Sequence, residues 1–148
     1  MILKYKKLKM NTEALYEIIE KGISKMGIEP ETARGQNSGQ WDFNRGSASI
    51  AVGLTQNDRF PNGYFYVTSV LMSEMDVPAA KKESFYLTML ETNANLVNMQ
   101  LAISDGWVLL ISNRDAEGLD DIEVAIAINE LSYYADELDD HLKERFAS

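Results

Sequence analysis

The chain has 148 residues, 45% hydrophobic and 25% charged, which fits one domain spanning 1–148 and excludes a disordered chain. With no cysteine and a single histidine, it excludes a disulfide scaffold, thiolate catalysis, cysteine-bound metal centres and any paired-histidine site. A net charge of −9 repels phosphate backbones, so nucleic acid is not an expected partner.

No apolar run reaches the roughly 18 residues needed to cross a bilayer, so no membrane association is expected. The first ten residues hold Lys4, Lys6, Lys7 and Lys9 but lead into an amphipathic segment, not an apolar export signal. A cytoplasmic protein with a frayed 1–10 segment is expected. The first helix is expected at 12–26, because Leu15, Ile18, Ile19, Ile23 and Met26 recur at the 3.6-residue period. Asn11 suits its N-cap, Met10 and Leu15 a hydrophobic staple, and Gly27 its stop. Gly22, inside the helix, implies a close approach to another element.

Residues 29–39 are polar and rich in breakers and read as a loop. Trp41 and Phe43 alternate with Asp42 and Asn44, Arg45-Gly46 turns, and Ala48, Ile50, Val52 and Leu54 alternate along a second strand. A connection over Thr55–Gly63 leads to a third strand, Tyr64–Met72, which is almost wholly apolar. Pro78 is expected to open a second helix. On it Phe85, Tyr86, Leu87, Met89, Leu90, Ala79 and Ala94 cover an arc of about 200°, about twice the stripe of a helix with one buried face.

Met99, Leu101 and Ile103 then alternate into Asp105-Gly106, a strong hairpin signal, followed by Trp107–Ile111. Asp120 and Glu123 form a capping box for the last helix. Along it Val124, Ile128, Leu131, Ala135, Leu138 and Leu142 make a heptad-like seam, which we expect to pack on the sheet. The result is an α+β fold of order α-β-β-β-α-β-β-α, with one antiparallel five-stranded sheet and the first and last helices covering one face.

Residues 85–142 carry a further pattern. An apolar helix ends in Leu90-Glu91-Thr92-Asn93, followed by the strand Met99–Ile103, the turn Asp105-Gly106, the strand Trp107–Ile111 and the long acidic helix Leu119–Leu142. With the element order, this resembles the type III secretion chaperones of the Tir-chaperone kind and the related YbjN-like bacterial proteins. The Leu-Pro-Leu-like segment frequent in that family is replaced here by Ser112-Asn113-Arg114-Asp115-Ala116-Glu117. The resemblance implies a secretion-chaperone-like fold and a small acidic homodimer that holds an extended segment of a client protein. The alternative it implies is a YbjN-like regulatory or sensory domain with a ligand pocket between sheet and helices.

The functional residues expected follow from these patterns. The arc on the second helix assigns a dimer contact to Phe85, Tyr86, Met89 and Leu90. Trp41, near a sheet edge, and Phe60, in a loop beside Pro61, are candidate partner anchors, weighed against burial in the core. Asp115 to Ser148 holds eleven acidic residues against Lys143 and Arg145, so this segment's net charge equals that of the whole chain. Asp136, Asp139 and Asp140 are therefore candidates for steering a basic partner, against the plainer role of a solubilising face. No catalytic pair, cofactor motif or metal set is found, His141 being read as an exposed side chain; a non-enzymatic protein is expected.

Overall fold

The computed structural model describes residues 11–147. In chain order these are α1 (Thr12–Lys25), the single turn α2 (Pro30–Ala33), β1 (Gln40–Arg45), β2 (Ala48–Thr55), β3 (Tyr64–Ser73), α3 (Lys82–Asn93), β4 (Gln100–Ser104), β5 (Trp107–Asp115) and α4 (Asp121–Phe146). The strands form one antiparallel sheet in the order β1-β2-β3-β5-β4, as the alternation of the sequence requires. β1 and β4 are its edges.

α1 starts where Asn11 accepts a hydrogen bond from the Glu13 N–H at 3.0 Å. Gly27, at φ +77°, follows its end in the left-handed conformation that stops helices. The staple with Met10 and the frayed 1–10 segment lie outside the described residues. α4 opens with the expected capping box, Asp120 and Glu123 each bonding the other's main-chain N–H. Val124, Ile128, Leu131, Ala135 and Leu142 of the seam are buried, Leu138 is half-buried, and the helix continues to a buried Phe146.

α1 and α4 pack against each other, and α4 lies across β2, β3 and β5. The covered face holds Ile50, Val52, Leu54, Phe65, Val67, Leu71, Val108 and Leu110, all buried. α3 lies along the β4 side. Its Asn93 amide both donates to the Leu101 carbonyl (3.1 Å) and accepts from the Leu101 N–H (2.7 Å), closing the outer edge of β4 at that residue. Phe85 of α3 meets Phe146 of α4 edge-on with ring centres 5.3 Å apart.

Two local expectations need correction. The loop expected over 29–39 contains α2, because Pro30 fixes a helical φ at its first position and the Thr32 hydroxyl bonds the Glu29 carbonyl. Pro78 does not open the second α-helix. Its ψ of 146° makes it the cap of a 3₁₀ turn over Ala79–Lys81, preceded by another over Glu74–Asp76, and α3 begins only at Lys82.

The close approach implied by Gly22 is to α4: a Cβ there would collide with the Val124 side chain and stand 2.9 Å from the Asp121 carbonyl oxygen. Gly22→Ala should cost about 1–3 kcal/mol by overpacking, despite the better helix propensity of Ala. Thermal denaturation should show a lower midpoint, partly restored in the Gly22→Ala/Val124→Ala double variant. An unchanged midpoint would mean the two helices can separate freely.

Candidate partner-binding surface

Among the described residues, no helix covers the second face of the sheet. Register places Asp42, Ala51, Thr68, Ile111 and Gln100 in one cross-strand row, and Val70, Leu109 and Ala102 in the next. Val70 and Trp107 are each about half exposed, at 52% and 51%. The other end of this face is aromatic. Tyr66 lies across Gly53, where any Cβ would collide with its ring, and Tyr64 links it to Phe60 with centroid spacings of 6.4 and 4.9 Å. Partial burial, and secondarily the Asp42 charge, raise the Tyr66 phenol above its ordinary pKa.

Each sheet edge is closed in part by a neighbouring segment. Gly46 and Ser47 make a two-residue turn between Arg45 and Ala48, so ladder hydrogen bonds alternate from that pair. This directs the N–H and C=O of Gln40, Asp42 and Asn44 away from β2. The Gln40 carbonyl accepts from the Gly35 N–H at 2.7 Å, and an antiparallel bridge between Arg34 and Trp41 turns the Asp42 N–H toward the same segment, whereas no main-chain group among the described residues takes those of Asn44. β1 is therefore open at Asn44, and β4 is closed at Leu101 by Asn93 with Ile103 left outward.

The expected anchors are placed unequally. Trp41 is buried at 2% exposure; its indole N–H donates to Glu20 at 3.1 Å and its ring meets Tyr16 edge-on. Phe60 is half-buried, between Tyr64 and the Arg59 guanidinium. Asp136 accepts from the Ser47 hydroxyl at the β1–β2 turn, Asp139 pairs with Lys143 at 2.7 Å, and Asp140 is exposed. On α3, Phe85 and Met89 are buried within the chain and Tyr86 donates its hydroxyl to Glu74, leaving Leu87 and Leu90 outward, Leu90 at 68% exposure.

Sequence reasoning did not single out Val70, Leu109 or Ile111. The signal was the nearly unbroken apolar run of β3, which marks a strand apolar on both faces where a half-solvated one would alternate. Among the described residues no group of His, Cys, Asp and Glu gathers to hold a metal ion, and no helix is long and apolar enough to cross a membrane.

This arrangement, a five-stranded antiparallel sheet with α1, α3 and α4 on one side, is the fold of type III secretion chaperones. Three solved structures show the likeness. A chain of the HopA1–SchA chaperone–effector complex superimposes with a TM-score of 0.61 at 10% identity, over 86% of this chain and 96% of that one. A chain of the heterodimeric ExoU–SpcU complex from the type III secretion system of Pseudomonas aeruginosa gives 0.59 at 16% identity, over 86% and 97%. The complex of the Yersinia pestis type III secretion chaperone SycH with a fragment of YscM2 gives 0.58 at 12% identity, over 84% and 98%. No protein-family model and no curated protein matches the sequence.

Glu20 holds the start of β1, bonding both Arg34 (2.7 Å) and the Trp41 indole. The Arg34 guanidinium first, and the Trp41 hydrogen bond with it, hold the Glu20 carboxyl below its ordinary 4.5 against an opposing desolvation. A carboxyl with a depressed folded-state pKa contributes stability at pH above 4.5 and loses it as pH falls through the lower folded value. Denaturant titrations should therefore show Glu20→Gln to be destabilised at neutral pH and the gap from the parent to narrow on acidification below 4.5. A gap constant with pH would remove this ion pair as an anchor of β1.

Proposed function

We propose that the chain is a non-enzymatic, chaperone-like or adaptor protein of the cytoplasm that holds an extended segment of a protein partner. The observation that carries this reading is the uncovered face of the sheet, with Val70, Leu109 and Ile111 on β3 and β5, together with a β1 edge whose Asn44 main-chain groups have no partner among the described residues. Main-chain pairing supplies affinity to an added strand, and the face supplies sites for alternate side chains. The three solved structures support it, since each is a complex of two different proteins with a chain of this fold. The acidic surface of α4, with Asp140 and Glu137 exposed, favours encounter with basic segments over final affinity, because exposed charges are screened beyond about 8 Å at physiological salt.

The working unit in this reading is a homodimer. With Phe85 and Met89 buried, its contact passes to Leu87 and Leu90 of α3, with Tyr86 at the margin. Light scattering at micromolar concentration should give a dimer for the parent chain and a folded monomer for Leu87→Lys/Leu90→Lys. A parent chain that is already monomeric would remove the dimer from the reading. The alternative, a YbjN-like regulatory domain with a ligand between sheet and helices, has a counterpart in a cleft of about 450 Å³ between the end of β5 and the first half of α4.

Strand addition is tested on β1 with a capped eight-residue peptide of alternating valine and lysine. Amide exchange at Asn44 should slow as the peptide is added. Asn44→Pro removes an outward N–H that the sheet does not use, so it should abolish peptide binding while the β1–β2 ladder persists. Exchange at Asn44 unaltered by millimolar peptide would overturn the assignment to β1.

A further inference from the structure

β5 is longer than the strand that flanks it. β4 pairs with Trp107–Ile111, whereas β5 runs on to Asp115, paired there only with β3. The chain leaves the sheet just before Gln100, where Asn98 adopts a left-handed φ of +58°. The two-residue turn at Asp105-Gly106 sets the alternation, and the Asn93 bonds to Leu101 agree with it. Trp107, Leu109 and Ile111 bond toward β4, and the next such residue is Asn113. Its N–H and C=O point to the position β4 would occupy if it continued, and no described residue bonds them.

The cleft of about 450 Å³ lies at this vacant strand position. Phe65, Met99, Leu119, Ile126 and Ala127 give it apolar walls, and Glu130 gives it a carboxylate. Arg114 does not neutralise that carboxylate. Its guanidinium is held by Glu123 at 3.0 Å and by the carbonyls of Asp115 (2.9 Å) and Glu117 (2.8 Å). Glu130 has no ion-pair partner among the described residues.

We propose that this slot takes a short extended stretch of a protein partner, which adds to β5 as the missing continuation of β4. Cross-strand neighbours share a face, so the peptide residue opposite Asn113 points to the uncovered face and those on either side of it point into the cleft. One of these is apolar, seated against Phe65, Leu119 and Ala127. The other is lysine or arginine, placed toward Glu130. The length available from Asn113 to Asp115 is about 7–10 Å at roughly 3.3 Å per residue, enough for two or three residues. The free main-chain pair favours a peptide over a small molecule, which would leave one of these groups unbonded. The inference rests on the reading that the chain binds a protein partner, but on a different edge from β1.

The test uses two capped pentapeptides, acetyl-Ser-Leu-Ser-Lys-Ser-amide and acetyl-Ser-Lys-Ser-Leu-Ser-amide, to cover both placements of the leucine and the lysine on an antiparallel strand. At least one should slow amide exchange at Asn113 and shift the Ala127 methyl resonance. N-methylation of its central serine should abolish both effects. Glu130→Gln should weaken binding about two- to fivefold, an effect that fades at high salt. Ala127→Leu should block binding by filling the cleft, and the exposed-site variant Ile126→Ser should weaken it if Ala127→Leu fails to fold. Protection at Asn44 without protection at Asn113 would overturn the slot and leave strand addition at β1 standing. Binding indifferent to N-methylation, or no effect at Asn113 from either peptide at millimolar concentration, would also overturn it.

Discussion

The close contact of α4 with everything beneath it is the constraint on which the rest of the molecule depends. This one helix of 26 residues is about 39 Å long, enough to cross β2, β3 and β5 and still reach α3 through Phe146. Its seam of Val124, Ile128, Leu131, Ala135 and Leu142 is fully buried, each larger aliphatic contributing about 1.5–3 kcal/mol of transfer free energy. α1 reaches the same layer only because Gly22 has no side chain to hold it off Val124. Loosening α4 would release the sheet, α1 and α3 together.

Because α1, α3 and α4 occupy one side, no other described element covers the opposite face, even though β3 and β5 carry Val70, Leu109 and Ile111 there. A strand that is apolar on both faces suits a sheet covered on both. Here no described residue supplies the second cover, which is why the proposed partner surface lies on this face. The edges are each closed in part. Asn93 places an amide against Leu101 of β4, and the 33–35 segment lies along Gln40 and Asp42 of β1, which keeps Asn44 open.

Electrostatics acts at two ranges. Some of the acidic residues of the C-terminal segment are engaged internally: Asp121 with Lys25, Glu123 with Arg114, Asp139 with Lys143 and Asp136 with Ser47. Such exposed pairs contribute little to stability, about 0–1 kcal/mol each, but they fix local geometry at helix and turn ends. The exposed remainder keeps the long-range field negative, which in the proposed reading favours encounter with basic partners over holding them once bound.

Much of the architecture was legible in the sequence because it is written in local chemistry. The period of α1, the capping box of Asp120 and Glu123, the hairpin signal Asp105-Gly106 and the alternation of β2 each act over a few residues, and each appears where expected. The closeness of Gly22 to another element was legible too, although not that its neighbour is Val124. The candidate surface was legible only in part. Trp41 sits at an edge strand by sequence and yet is buried, because Glu20 and Tyr16 from α1 close over it. Phe85 and Leu90 belong to one apolar arc, but Phe146, more than fifty residues further along the chain, decides that Phe85 is covered while Leu90 is not. Which side of β3 would be left bare, and which main-chain groups of β1 and β5 would lack a partner, depend on how helices and strands distant in the chain stack. Local preference fixes the elements; only tertiary packing decides which of their surfaces remain open.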